Sequence, residues 1–234
     1  MHKLLGTMIA CLMLSSTAFA VDLEKLKATI AKKSSDLTIT NLAETPVKGL
    51  YELTSGKNIY YIDESGTYLL AGHLYDLYTK TDLTEPRLDK LNRIDWSSLP
   101  LDQAIVSGDP KGKAVAVFTD PDCGYCKLLE KNIATAKGIQ FYTFLFPLES
   151  IHPDAKRKSQ VIWCSKDSHK TMIDVMLNGK EAKGKTDCET PIQANIELGM
   201  KLGIRGTPTL ISPDGRKTGG ALSLKALHEW LDQK

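Results

Sequence analysis

The sequence predicts an α+β protein of two domains, and three observations carry that reading. Between residues 36 and 71, short β-type runs alternate with turn residues, the pattern of an antiparallel meander. From residue 103 onward, apolar runs and helical patterns succeed one another in the order strand, helix, strand, several helices, two strands and a last helix. That order implies a mixed sheet covered by helices. Between the two lies "EPRLDKLNRIDWSSL", a polar and charged stretch with the composition of a linker.

The chain begins with Lys3 and an apolar run from Leu4 to Leu14, and Ala18-Phe19-Ala20 has the small-x-small form that signal peptidase reads. Residues 1–20 are therefore expected to be a signal peptide, with the mature chain starting near Val21. The run is well short of the ~20 apolar residues that a membrane span needs. Residues 21–84 form the first domain. Leu23, Leu26 and Ile30 lie on one side of an expected helix, with Asp22 as its N-cap. The runs "DLTITNLAE", "GLYELTS", "NIYYIDE" and "TYLLAG" follow, separated by Pro46, Ser55-Gly56 and Ser65-Gly66. A meander of about 60 residues with a single helix has a marginal core by itself, and it is expected to complete that core against a second copy of the chain. Residues 85–99 are expected to be a short helical linker, because Leu88, Leu91 and Ile94 recur at near-helical spacing. A helix holds two domains apart more firmly than a glycine-serine tether could.

Residues 100–234 form the second domain. In "QAIVSGDPKGKAVAVFTD" two apolar runs flank Gly108 to Gly112, which suggests a hairpin with a long turn. A helix is expected next, with Cys126, Leu129, Ile133 and Ala134 on one face. A buried strand "IQFYTFLFP" follows it. Helical stretches are expected near residues 153–164, 168–177 and 190–202. Two strands about Asp214-Gly215 and a final helix from Ser223 close the domain.

Formal net charge is +2 for the 234 residues, and no basic patch is interleaved with aromatics, so nucleic acid is not an expected partner. The run Lys156-Arg157-Lys158 reads as a solvated helix face. Loss of the signal peptide removes Cys11 and leaves Cys123, Cys126, Cys164 and Cys188, an even set in an oxidising compartment.

The chemistry concentrates in the Cys-x-x-Cys element. Thiol exchange needs an accessible thiolate and a second thiol near enough to displace a trapped partner. Unpaired N–H groups at a helix start favour negative charge, and they lower a cysteine pKa from ~8.5 into roughly the 3.5–7.5 range. Cys123 at that start is the expected attacker, and Cys126, one turn on and on the apolar face, the expected resolver. Gly124 and Tyr125 between them would tune the potential. A four-thiolate zinc site is a poorer reading, since Cys164 and Cys188 stand apart without the usual second close pair. No metal is assigned. A purely structural Cys123–Cys126 bridge closes too small a loop to constrain the unfolded chain. A cysteine–histidine catalytic pair with His152 is poorer still: His73, His152, His169 and His228 sit in unrelated contexts and read as surface or satisfied histidines. A Cys164–Cys188 bridge would close a loop of about 25 residues, worth roughly 3 kcal/mol in the chain-entropy model. It is read as structural, pinning the helical insertion.

"FTDPDCGYCKLLE", "IWCSKD" and "GIRGTPTLI", following a signal peptide, a small β-rich domain and a helical linker, resemble the DsbC family of periplasmic thiol:disulfide interchange proteins. The likeness spans essentially the whole mature chain, although the N-terminal domain matches by order and by "YDL" near its end more than by motif. It implies a thioredoxin-like catalytic domain with a helical insertion, preceded by a small β-rich dimerisation domain. It also implies a V-shaped homodimer whose apolar cleft receives misfolded exported proteins, and a DsbD-type membrane reductant that keeps Cys123 and Cys126 reduced. No separate cofactor is implied beyond that redox-active pair. Carried over from the family, Pro208 is cis, and it lies with Thr207 beside the cysteine pair, where Tyr125, Thr207 and Pro208 contact substrate. The implied activity is disulfide isomerisation. The alternatives are a DsbG-like reduction of sulfenic acids and a holdase whose cleft matters more than its thiols.

Overall fold

The computed structural model describes residues 21–233, so the signal-peptide reading of residues 1–20 lies outside the described residues. The chain divides into two compact units, one ending at Leu91 and the other beginning at Asn92.

In the first unit, helix α1 (Leu23–Lys33) starts where Asp22 accepts hydrogen bonds from the Glu24 and Lys25 amides, at 3.1 and 3.2 Å. Its apolar side, Leu26 and Ile30, is buried against Tyr51, Leu53 and Ile62. Those three residues belong to an antiparallel meander of β1 (Ile39–Glu44), β2 (Leu50–Ser55), β3 (Asn58–Asp63) and β4 (Leu69–Leu70), in that spatial order. A two-stranded ribbon of β5 (Tyr75–Asp76) and β6 (Thr81–Asp82) follows, which the residue pattern did not announce because each strand has only two residues. Helix α2 (Glu85–Leu91) then packs back on the sheet, and Arg87 pairs with the buried Glu52 at 2.8 Å.

The stretch read as one helical linker therefore behaves as two pieces. The helix ends at Leu91, while Ile94 and Leu99 are buried in the core of the second unit. Residues Trp96–Ser98 and Leu101–Gln103 form 3-10 turns there.

The second unit is a five-stranded mixed sheet in the order β11-β10-β8-β9-β7. Its strands are β7 (Ile105–Gly108), β8 (Lys113–Thr119), β9 (Ile139–Leu145), β10 (Thr209–Ile211) and β11 (Lys217–Gly219). The expected β7–β8 hairpin does not form: β9 lies between the two strands, antiparallel to β7 and parallel to β8. The reason is burial, since β9 carries Ile139, Phe141, Phe144 and Leu145, all of which need cover. The intervening turn wraps the end of β9 instead, with the Asp109 and Lys113 amides donating to the Ile139 and Gly138 carbonyls at 2.8 Å. Gly112 allows that approach, because a Cβ there would stand 2.3 Å from the Gly138 carbonyl carbon.

Alternate residues of β8 feed the two faces of the sheet. Val115 and Val117 meet Leu129 and Ile133 of α3 (Gly124–Ile133) and Leu227 of α7 (Leu224–Asp232). Ala116 and Phe118 meet Phe144, Phe146 and Ile211, with Ile196 and Leu198 of α6 (Ile192–Lys201) packed against them. Between β9 and α6 the chain forms α4 (Ala155–Trp163) and α5 (Ser168–Met176), the expected helical insertion. The fold is thus a thioredoxin-like α+β unit preceded by a β-rich one. Among the described residues, no helix is long and apolar enough to cross a membrane.

Candidate active site

Strand β8 ends at Thr119, and four residues later Cys123 is the N-cap of α3, in extended conformation with φ −68° and ψ 122°. Local sequence explains the sharp change: Asp120, Pro121 and Asp122 cannot continue the strand comfortably, and the apolar period of three to four residues starts at Cys126. Cys123 and Cys126 both carry free thiols. The Cys123 residue keeps 8 % of its surface exposed, while Cys126 keeps none. Tyr125, between them, is 68 % exposed.

The Cys123 thiol donates to the Thr207 carbonyl at 3.3 Å, and the Thr207–Pro208 peptide is cis. Residues 84 positions apart are thus brought together by the pairing of β10 with β8, in which Thr209 lies opposite Phe118. Cys126 lies among Ile105, Leu145, Ile162, Met172 and Ile192. That apolar burial pushes its thiol up to about 12, against the Asp120 amide, which donates to its sulfur at 3.4 Å. The hydroxyls of Thr119 and Thr207 also favour its thiolate, and both are buried without another partner. The site can therefore present one thiol at a helix start, beside an open backbone carbonyl, and hold a second in reserve beneath it.

Cys164 and Cys188 are bonded to each other, with their Cα atoms 5.7 Å apart. The bridge ties the C-cap of α4 to the loop before α6. It also removes the four-thiolate zinc reading, because two of the four sulfurs are committed to a disulfide. Among the described residues, one group could hold a metal ion, His73, Asp82 and Glu85 in the first unit, and it includes no cysteine.

Three residues to which the sequence analysis gave no role belong to this region. Asp120 is fully buried beneath the cysteine loop, and His152 meets its carboxylate at 3.0 Å. Asp120 had a detectable signal, a carboxylate between an apolar run and Cys-x-x-Cys; His152, read as an ordinary histidine, had none. Glu130, one turn after Cys126, is 4 % exposed, with Oε1 unpartnered. Burial raises its carboxyl to about 7.

A thioredoxin-type sheet with a dithiol at the start of its first helix defines a thiol–disulfide exchange enzyme, and the comparisons with known proteins agree. Residues 100–234 match the family described as "Thioredoxin-like domain", and residues 17–85 match "Disulfide bond isomerase protein N-terminal domain". The chain is 36 % identical over 201 residues to the probable thiol:disulfide interchange protein DsbC of Bordetella parapertussis, covering 85 % of this chain and 70 % of that one. With the thiol:disulfide interchange protein DsbC of Escherichia coli it shares 28 % identity over 234 residues, 97 % of this chain and 95 % of the relative. The crystal structure of a disulfide interchange protein from Neisseria gonorrhoeae superposes with a TM-score of 0.54 at 39 % identity, covering 57 % of this chain and 96 % of that one. This chain belongs to the DsbC family of thiol:disulfide interchange proteins. That membership places it in the periplasm.

Proposed function

We propose that Cys123 and Cys126 form the dithiol of a disulfide isomerase that rearranges incorrect disulfides in exported proteins. The observation that carries the reading is the placement of Cys123. It caps α3, its sulfur lies 3.3 Å from the Thr207 carbonyl, and Cys126 sits fully buried one turn below. The Cys123 thiolate attacks a substrate disulfide and forms a mixed disulfide. A substrate thiol then re-pairs the chain, or Cys126 displaces the substrate and leaves a Cys123–Cys126 disulfide. Thr207 and Pro208, beside the attacking sulfur, and the exposed Tyr125 line the place where the substrate chain would lie. The Cys164–Cys188 bridge has no part in the exchange and holds the helical insertion.

A DsbD-type membrane reductant would return the pair to the dithiol, since isomerisation requires a free Cys123 thiolate. The first unit supports a homodimer as the working form. The two-residue edge strand β4 and the side chains of Tyr68, Leu69, Leu70, Tyr75, Leu77 and Tyr78 are exposed on it, an apolar surface of the kind that a second copy covers.

The test is refolding of a scrambled multi-disulfide protein in mildly reducing buffer, with Cys123→Ser and Cys126→Ser alongside the unaltered protein. Cys123→Ser should abolish rearrangement, and Cys126→Ser should accumulate mixed disulfides on Cys123. Iodoacetamide mapping of the reduced protein near neutral pH should label Cys123 first, because Cys126 is buried and its thiol is pushed up to about 12. Full rearrangement by folded Cys123→Ser protein would sink the assignment.

A further inference from the structure

The carboxylate of Asp120 takes no part in the chemistry above, yet it lies at the centre of the site. It is fully buried. Oδ1 accepts from the Asp122 amide at 2.8 Å, and Oδ2 accepts from the Leu148 amide at 2.7 Å and meets Nδ1 of His152 at 3.0 Å. The backbone of the same residue reaches both cysteines. Its N–H donates to the Cys126 sulfur at 3.4 Å, and its carbonyl accepts from the Cys123 N–H at 3.2 Å. Two of the three groups on the carboxylate are backbone amides. His152 is the single side chain among them, 24 % exposed, and its Nδ1 is placed to donate to Oδ2.

We infer that His152 is a positioning residue for the resolving step: by holding the Asp120 carboxylate, it keeps the Asp120 N–H aimed at the Cys126 sulfur as that sulfur becomes the nucleophile. The inference rests on the roles proposed above for Cys123 and Cys126. In this step Cys126 loses its proton and its thiolate attacks the Cys123 sulfur of the mixed disulfide. The bond between Cys123 and the substrate sulfur breaks, and the Cys123–Cys126 bond forms. The electron pair leaves on the substrate sulfur, which takes up the proton, so the enzyme pair is oxidised and the substrate sulfur reduced.

Negative charge develops on Cys126 in a pocket of Ile105, Leu145, Ile162 and Met172, which offers it little. The fixed Asp120 amide and the hydroxyls of Thr119 and Thr207 are the groups that favour it. A donor already held in place needs no reorganisation as the charge arrives, whereas a loosened one must be captured each time. Cys123, whose sulfur faces the Thr207 carbonyl, does not use that donor.

The experiment measures two rates on the full chain: alkylation of Cys123 by iodoacetamide, and decay of the Cys123–glutathione mixed disulfide after reaction with glutathione disulfide, followed by acid quench and mass. His152→Asn keeps an N–H donor near the Nδ1 position, His152→Gln displaces it, and His152→Leu removes it. The Leu and Gln variants should slow decay about tenfold, the scale of one hydrogen bond to a charged group. Alkylation should change little, and the Asn variant should behave as the unaltered protein. Unaltered decay in folded His152→Leu protein overturns the inference. So does an equal loss of both rates, since the effect then belongs to the whole loop. If His152→Leu does not fold, the Asn and Gln variants decide, and equal decay in those two overturns it. Failure of the underlying roles shows separately, as a glutathione adduct on Cys126 in the unaltered protein.

Discussion

Ile94 and Gly215 grip each other through their backbones. The Ile94 N–H donates to the Gly215 carbonyl at 2.8 Å, and a Cβ on Gly215 would stand 2.3 Å from the Ile94 carbonyl oxygen. Gly215 has φ +86°, so it is suited to the turn between β10 and β11 as well as to the close approach. Ile94 and Leu99 are both 5 % exposed, in one cluster with Phe118, Phe144 and Ile211.

The placement of a domain cut follows from that contact. A fragment beginning at Asn92 should fold as a monomer, keep its fast thiol and reduce insulin, but lose most activity on scrambled protein if the dimer supplies the substrate surface. A fragment beginning at Leu101 discards Ile94 and Leu99 and should be less stable by about 3–6 kcal/mol, the value of burying two such side chains. Urea melts compare the two fragments, and sedimentation with scrambled-protein refolding tests the longer one. Equal stability would mean that residues 92–99 are only a tether. Full isomerisation by a monomeric fragment would remove the dimer from the mechanism.

The Cys164–Cys188 bridge spans a sequence separation of 24 residues around α5. Replacing both cysteines by alanine should lower stability by about 3 kcal/mol through the unfolded chain, with Cys123 alkylation unchanged. A reducing agent mild enough to hold Cys123 and Cys126 as thiols should leave the bridge closed in peptide maps. Loss of thiol exchange in a folded double variant would instead give the bridge a part in the chemistry.

Glu130 predicts the pH dependence of stability. Burial holds its carboxyl at about 7, against 4.5 for the free group, so the folded chain keeps a proton that the unfolded chain releases. Stability from this group is therefore complete at acid pH and is lost as pH rises from about 4.5 through 7. The loss is on the order of 3 kcal/mol. Glu130→Gln should remove that slope and be the more stable protein at pH 8. Denaturant melts at pH 5 and pH 8 measure both effects, and parallel changes in the two proteins would show that Glu130 is ionised in the fold.

Several features were legible because they are local. Asp22 caps α1 and Ser223 caps α7, as residue types and spacing foretell. The four-stranded meander follows its alternating runs, and the Cys-x-x-Cys spacing puts one cysteine at a helix start and the other on its buried face. The expectation for that face failed at its end, where Ala134 is exposed. It failed also at Glu130, a residue type that belongs in water but is buried with a cavity of about 240 Å³ beside it, lined by Phe141, Ile173 and Leu177.

What the sequence determined by itself was the kind of the main elements in each unit, from α1 and the four-stranded meander to the helices and strands of the second unit, the dithiol at the head of a helix and the pairing of the two remaining cysteines. Those depend on side-chain period, capping groups and thiol count, which are properties of short segments. Only the tertiary structure decided that β9 separates β7 from β8, that Ile94 belongs to the second unit, and that His152 reaches Asp120 across 32 positions. Each of those outcomes depends on which apolar surfaces and buried polar groups find cover from distant parts of the chain. Burial is settled by packing all the segments together, and the period of any one segment does not contain it.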